Sequence, residues 1–129
     1  MKKDFFILKE TLKSIPAALM FATSWHLSSL ERIEGLPSFW NADKLVHLIC
    51  FSALSFWVSF AVGTNNRRGI FLPAAIVSAY GIIDEIHQSF TPGRESSVLD
   101  WISDTIGGFL GAIVFLFVLK KISKIFTKS

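Results

Sequence analysis

The chain has 129 residues, 51% of them hydrophobic and 13 of them Phe, with a formal net charge of +3. A mean hydropathy of +0.50 excludes an ordinary soluble domain of this size, and the length suits about four membrane spans of ~20 residues each. Cys50 is the single cysteine, so an intrachain disulfide is excluded as well.

In chain order, residues 1–13 alternate Phe5, Phe6, Ile7, Leu8 and Leu12 with Lys2, Lys3, Lys9, Glu10 and Lys13, the pattern of an amphipathic lead-in at a membrane interface. A first span is expected over residues 15–30, with Pro16 in its opening turn, where the missing N–H is harmless. A cleaved signal peptide is the competing reading, but Lys9, Glu10 and Lys13 interrupt the apolar core it needs. Residues 31–41 read as a polar loop with Gly35 and Pro37. The second span, 45–62, is entered through Asp43, Lys44 and His47, and a basic turn follows with Arg67, Arg68 and Gly69. The third and fourth spans are expected at 70–90 and 101–119, and the tail from Lys120 carries four lysines. Neither a repeat nor a low-complexity stretch divides the chain. The expected architecture is one all-α domain over residues 1–129, an integral membrane bundle of four helices.

Charge placement orients that bundle. With a cytoplasmic amino terminus, the inner segments hold Lys2, Lys3, Lys9, Lys13, Arg67, Arg68, Lys120, Lys121, Lys124 and Lys128, while the outer ones hold Arg32, Lys44 and Arg94. Ten cations against three is the asymmetry of a multi-pass plasma-membrane protein with both termini inside. Trp25, Trp40 and Trp101 fall at the outer ends, where indoles favour the headgroup region. The lysines serve as membrane anchors, the partner is the bilayer, and no nucleic-acid partner is expected.

Polar groups gather between Tyr80 and Gly111: Asp84, Glu85, His87, Gln88, Arg94, Asp100 and Asp104. At 3.6 residues per turn, Asp84, His87 and Gln88 share a face with Tyr80 and Val77. Asp100, Ser103 and Asp104 share one with Gly107 and Gly111, small residues that let helices approach closely in lipid. Counted from Ile70, Asp84 stands about 21 Å up its helix at ~1.5 Å per residue, two-thirds of the way across the core. Ionisable groups at that depth face a bundle interior or a wet cavity. With Asp43, Lys44 and His47 they converge on the outer pole.

Each group also has a plain structural reading. Asp43 and His47, at i and i+4, form a pair that orders a helix start. Lys44 snorkels to the headgroups. Asp84 and Glu85 are harder to assign to scaffold, because adjacent carboxylates in lipid require protonation, pairing or a metal. His87 fits an interfacial histidine. Arg94, beyond a Pro-Gly turn, either fastens the loop to Asp100 or Asp84 or holds a ligand's phosphate. The glycines pack helices, and His26, Tyr80 and Cys50 carry no argument beyond structure.

In combination, Asp43-Lys44 with His47, Asp84-Glu85 with His87-Gln88, Pro92-Gly93-Arg94, and Asp100 with the Gly107-Gly108 pair resemble the VanZ-like family of bacterial membrane proteins. The resemblance covers about Asp43 to Gly111. It implies a small multi-spanning membrane protein of the cell envelope with a link to resistance to the glycopeptide antibiotic teicoplanin, and it supplies no reaction. The chain departs from the family at Asp104, where Asn is usual.

Three function classes follow. In the first, an outer-face site acts on a lipid headgroup or cell-wall precursor. Asp84 or Glu85 would serve as acid or base with His47 or His87, Asp100 would join them, and Arg94 would grip an anion. The substrate would be bound among Asp43, Lys44, Gln88, Arg94 and Asp104. A divalent metal, if used, would fall among Asp84, His87, Asp100 and His47. The HExxH and GxSxG signatures are absent from the sequence. The second class is a non-catalytic binder of an envelope molecule or of the antibiotic. The third, an ion or proton pathway, ranks last because the polar groups cluster at one pole. Sequence leaves the oligomeric state open.

Overall fold

A computed structural model describes residues 1–31, 33–36 and 39–127. The expectations resting on Arg32, Pro37 and Lys128 lie outside the described residues. Among those described, the chain is all-helical: α1 (Lys2–Ser28), α2 (Ala42–Val62), α3 (Phe71–Gln88) and α4 (Val98–Phe126), with a short 3₁₀ turn at Arg68–Ile70 leading into α3. Three stretches, Ala42–Val62, Arg68–Gln88 and Val98–Phe126, are long and apolar enough to cross a membrane.

The first helix differs from expectation. The lead-in and the segment at 15–30 form one 27-residue helix, and Pro16 lies inside it instead of opening it. Pro16 forfeits the bond to the Leu12 carbonyl, yet helix-forming neighbours continue on both sides. Lys13 and the helix end at Ser28 leave an uncharged stretch shorter than the ~20 residues a span needs, so α1 is not among the three. It contributes Ala17, Met20 and Phe21 to the core around Phe51, Leu54, Val58 and Val77.

α4 is longer than expected at both ends. Twenty-nine residues at ~1.5 Å each exceed a ~30 Å hydrocarbon core. Lys120, Lys121 and Lys124 therefore extend the helix past the apolar layer, where cations suit the negative end of the helix dipole. At its start, Ser97 takes the N-cap position, its carbonyl accepting from the Asp100 and Trp101 N–H groups, and Asp100 sits in the first turn.

The closest packing is α2 against α4. A Cβ built at Gly107 would stand 2.7 Å from the Leu48 carbonyl oxygen, and one at Gly111 would overlap the Ser52 carbonyl oxygen. Ser55 Oγ donates to the Gly108 carbonyl at 2.5 Å. Glycines here remove the side chains that would hold the backbones apart, and a buried hydroxyl bridges the gap. Large apolar side chains such as Ile49, Ile83, Ile86, Ile113 and Phe117 point outward, as a bilayer solvent requires. With the α2–α4 contact fixed, the start of α2, the end of α3, the start of α4 and the end of α1 meet at one end of the bundle.

Candidate functional site

Four carboxylates are buried at that end: Asp84 at 1% exposure, Glu85 at 6%, Asp100 at 5% and Asp104 at 0%. Their helical spacing puts them there. Asp84, Glu85 and Gln88 lie on the buried side of α3 with Val77 and Gly81. Asp100 and Asp104 lie on the buried side of α4 with Gly107 and Gly111. Gly81 is what lets α4 come close, since a Cβ there would stand 2.9 Å from Asp104 Oδ2.

From α2, Lys44 Nζ donates to Asp43 Oδ2 at 2.5 Å and to Asp100 Oδ1 at 3.0 Å. His47 Nδ1 lies 2.8 Å from Asp104 Oδ1. With Asp104 ionised, Nδ1 carries the proton, and in the neutral imidazole Nε2 then keeps its lone pair. From α3, Asp84 Oδ2 accepts from Gln88 Nε2 at 2.9 Å, and the Gln88 side-chain carbonyl oxygen accepts from Arg94 Nη2 at 3.2 Å. Glu85 Oε2 accepts the Ser97 N–H at 2.6 Å, at the positive end of α4. Asp84 and Glu85, neighbours in sequence, thus diverge to different partners.

Arg94 is aimed by the turn before it. The Arg94 N–H donates to the Thr91 carbonyl at 3.1 Å, and Gly93 takes a φ of +77°. Pro92 and Gly93 are the residues a type II turn requires at its two central positions.

The network leaves donors wanting. Asp84 Oδ1, Glu85 Oε1 and Asp104 Oδ2 are buried without a hydrogen-bond partner among the described residues, although buried charged oxygens are costly when unmatched. His47, Glu85 and Asp100 each offer an atom within 4.8 Å of those of the other two. Beside them, a cavity of about 100 Å³ runs between α1, α2 and α3. Met20, Leu27, Ile33, Val46 and Leu54 line its apolar part, and His47, Asp84, Gln88 and Arg94 its polar part.

The structure brings most of the sequence-marked residues into this network, though with other pairings than expected. His47 bonds Asp104, not an acid of α3, and it does not pair with Asp43, which bonds Lys44 instead. Lys44 is held between two carboxylates and does not merely snorkel. Arg94 contacts an amide in place of Asp84 or Asp100. His87 turns away: its Nε2 lies 2.9 Å from Ser29 Oγ and its ring stacks on Trp25 at 3.9 Å. Of the candidate metal ligands, His47 and Asp100 come together, and Glu85 is the residue that joins them. Ser103 bonds its own helix at Leu99 and stays out of the network.

Other participants stand outside the sequence motifs. Ser28, whose Oγ accepts from Gln88 Nε2 at 3.4 Å, comes from α1. Ser97 acts through its backbone. Gly81 had a readable signal, a small residue one turn before Asp84 and Glu85 on the acidic side of the helix. Cys50, read as structural, lines the cavity.

A family model described as VanZ/LLP1 matches residues 4–120. The match takes in nearly all of α1 and most of α4, well beyond the motif-bearing stretch from Asp43 to Gly111. No curated protein and no solved structure was found to match. With the network inside the matched span and three helices fit to cross a bilayer, the chain is a membrane protein of the VanZ/LLP1 family.

Proposed function

We propose that this end of the bundle faces outward from the plasma membrane and engages the headgroup of an amphiphile, a lipid or a lipid-linked cell-envelope precursor. The observation that carries the reading is the two-natured cavity: Met20, Leu27 and Leu54 on one side suit the first carbons of an acyl chain, and Arg94, Gln88, Asp84 and His47 on the other suit a polar head. Arg94 supplies a permanent cation for a phosphate or carboxylate, pre-aimed by Gln88. Where turnover occurs with the Nε2 of His47 unligated, His47 is the group suited to accept a proton, because Asp104 fixes its tautomer and would stabilise the imidazolium. The outward orientation rests on the cations that flank α2, α3 and α4: Arg67, Arg68, Lys120, Lys121 and Lys124 stand at the end away from the site, against Lys44 and Arg94 at the site end. A link to glycopeptide resistance, which the family resemblance implies, fits a protein working on the face where wall precursors are exposed.

Liquid chromatography of membrane lipids and wall precursors from cells with and without the protein, run beside a glycopeptide susceptibility assay, tests this. A species gained or lost would mark a reaction. Unchanged pools with altered susceptibility would mark a binder of the same amphiphile. No change in either contradicts the proposal.

A further inference from the structure

We infer that His47, Glu85 and Asp100 form a site for a divalent first-row transition metal of the zinc type, with one ligand from each of α2, α3 and α4. Their ligand atoms lie within 4.8 Å of one another. Ligands about 2.1 Å from a tetrahedral ion stand roughly 3.4 Å apart, so side-chain rotations of about an ångström close the set.

Three features beyond proximity support a ligand here. Glu85 is 6% exposed and spends Oε2 on the Ser97 N–H, leaving Oε1 buried with no partner among the described residues. A cation is what such an oxygen lacks. His47 is held through Nδ1 by Asp104, and among the described residues Nε2 makes no hydrogen bond. A carboxylate behind one ring nitrogen, with the other free, is the arrangement that orients metal-binding histidines and raises their basicity. Asp100 gives only Oδ1 to Lys44, so Oδ2 remains.

Charge balance points the same way. Lys44 and His47 each meet one of the four buried carboxylates, while Arg94 donates to an amide. Asp84 and Glu85 contact no cationic side chain among the described residues, and a divalent ion beside Glu85 would offset part of that excess. One nitrogen and two carboxylate oxygens suit zinc better than magnesium, and three protein ligands would leave a fourth position open. The inference does not rest on the proposed amphiphile, since metal uptake is measured without one.

The test uses the full chain in detergent, purified with a histidine-free tag and stripped by chelator. Zinc is titrated against a chromogenic chelator, and melting is followed with and without zinc. The expected result is one zinc per chain with a raised melting temperature. Glu85→Gln and Asp100→Asn should each weaken affinity about tenfold or more, at unchanged helicity by circular dichroism. His26→Ala, on the exposed face of the last turn of α1, should bind as the parent does. The inference is overturned if the parent takes up no zinc, or if the uptake survives both carboxylate substitutions. Zinc uptake with lipid pools and glycopeptide susceptibility both unchanged would leave the metal site standing and retire the amphiphile reading.

Discussion

His47 and Asp104 illustrate what one contact asks of two residues. The pair spans α2 and α4, and Asp104 is wholly buried with one oxygen on the imidazole and one on nothing. Removing the imidazole strands a carboxylate in the interior, so His47→Ala should cost about 3–5 kcal/mol of stability. Asp104→Asn keeps the acceptor and the shape, and should stay within about 1 kcal/mol of the parent. Melting curves in detergent check both. An Asp104→Asn chain as damaged as the His47→Ala chain would mean the charge itself is required. Glu85 allows a similar comparison. Gln retains an acceptor for the Ser97 N–H and removes a like charge near Asp100, so Glu85→Gln should melt at or above the parent temperature while losing the site's function. Glu85→Ala removes the acceptor too, and should lower stability by about 1–3 kcal/mol. A large drop with Gln would make Glu85 scaffold. The acids themselves were legible in the sequence, because charge inside an apolar run stands out. Their partners were not: helical period places residues on a face, and says nothing of which face of another helix they meet.

At the scale of elements, the α2–α4 seam carries the site. Asp104 and Asp100 keep their depth only while Gly107 and Gly111 let the backbones touch. Gly111→Ala, whose Cβ would fall on the Ser52 carbonyl oxygen, should force the helices apart, cost about 1–3 kcal/mol or more, and loosen Ser55 from Gly108. Gly108→Ala, with the Ala74 carbonyl oxygen at 3.3 Å, should be milder. Thermal melts of the two, compared directly, check the order; equal damage would contradict the packing account. The glycines were readable as packing residues from their spacing alone. α2, α3 and α4 were readable from length and hydropathy, since lipid demands long apolar runs. Their ends were less so: Val98 to Asp100 and the lysine tail are polar or short of a span, yet helical, because backbone hydrogen bonding continues where hydrophobicity stops. α1 was the hardest. Its charged half and apolar half read as two elements, and Pro16 as a boundary, whereas the chain runs through as one helix.

For the whole molecule, what matters is that the polar groups sit at one end, the end that faces out in the proposed orientation. On the proposed orientation, cysteines introduced at Gly35 and Ser96 in a Cys50→Ala background should react with impermeant maleimide added to intact cells, and one at Asn65 should not. Labelling at 65 alone would turn the site to the cytoplasm. The cavity depends on all of α1 to α3, which is why it could not be read from any one stretch: Met20 and Leu27 reach it from a helix that looked only like a lead-in and a weak span. The central claim is that this cavity holds an amphiphile by its headgroup. Native mass spectrometry of the detergent-purified chain tests it most directly, comparing the parent with Arg94→Gln. The parent should retain a lipid or lipid-linked precursor bearing phosphate or carboxylate, and the Arg94→Gln chain, folded by circular dichroism, should lose about tenfold or more of that occupancy. The same species at the same occupancy in both chains would contradict the account.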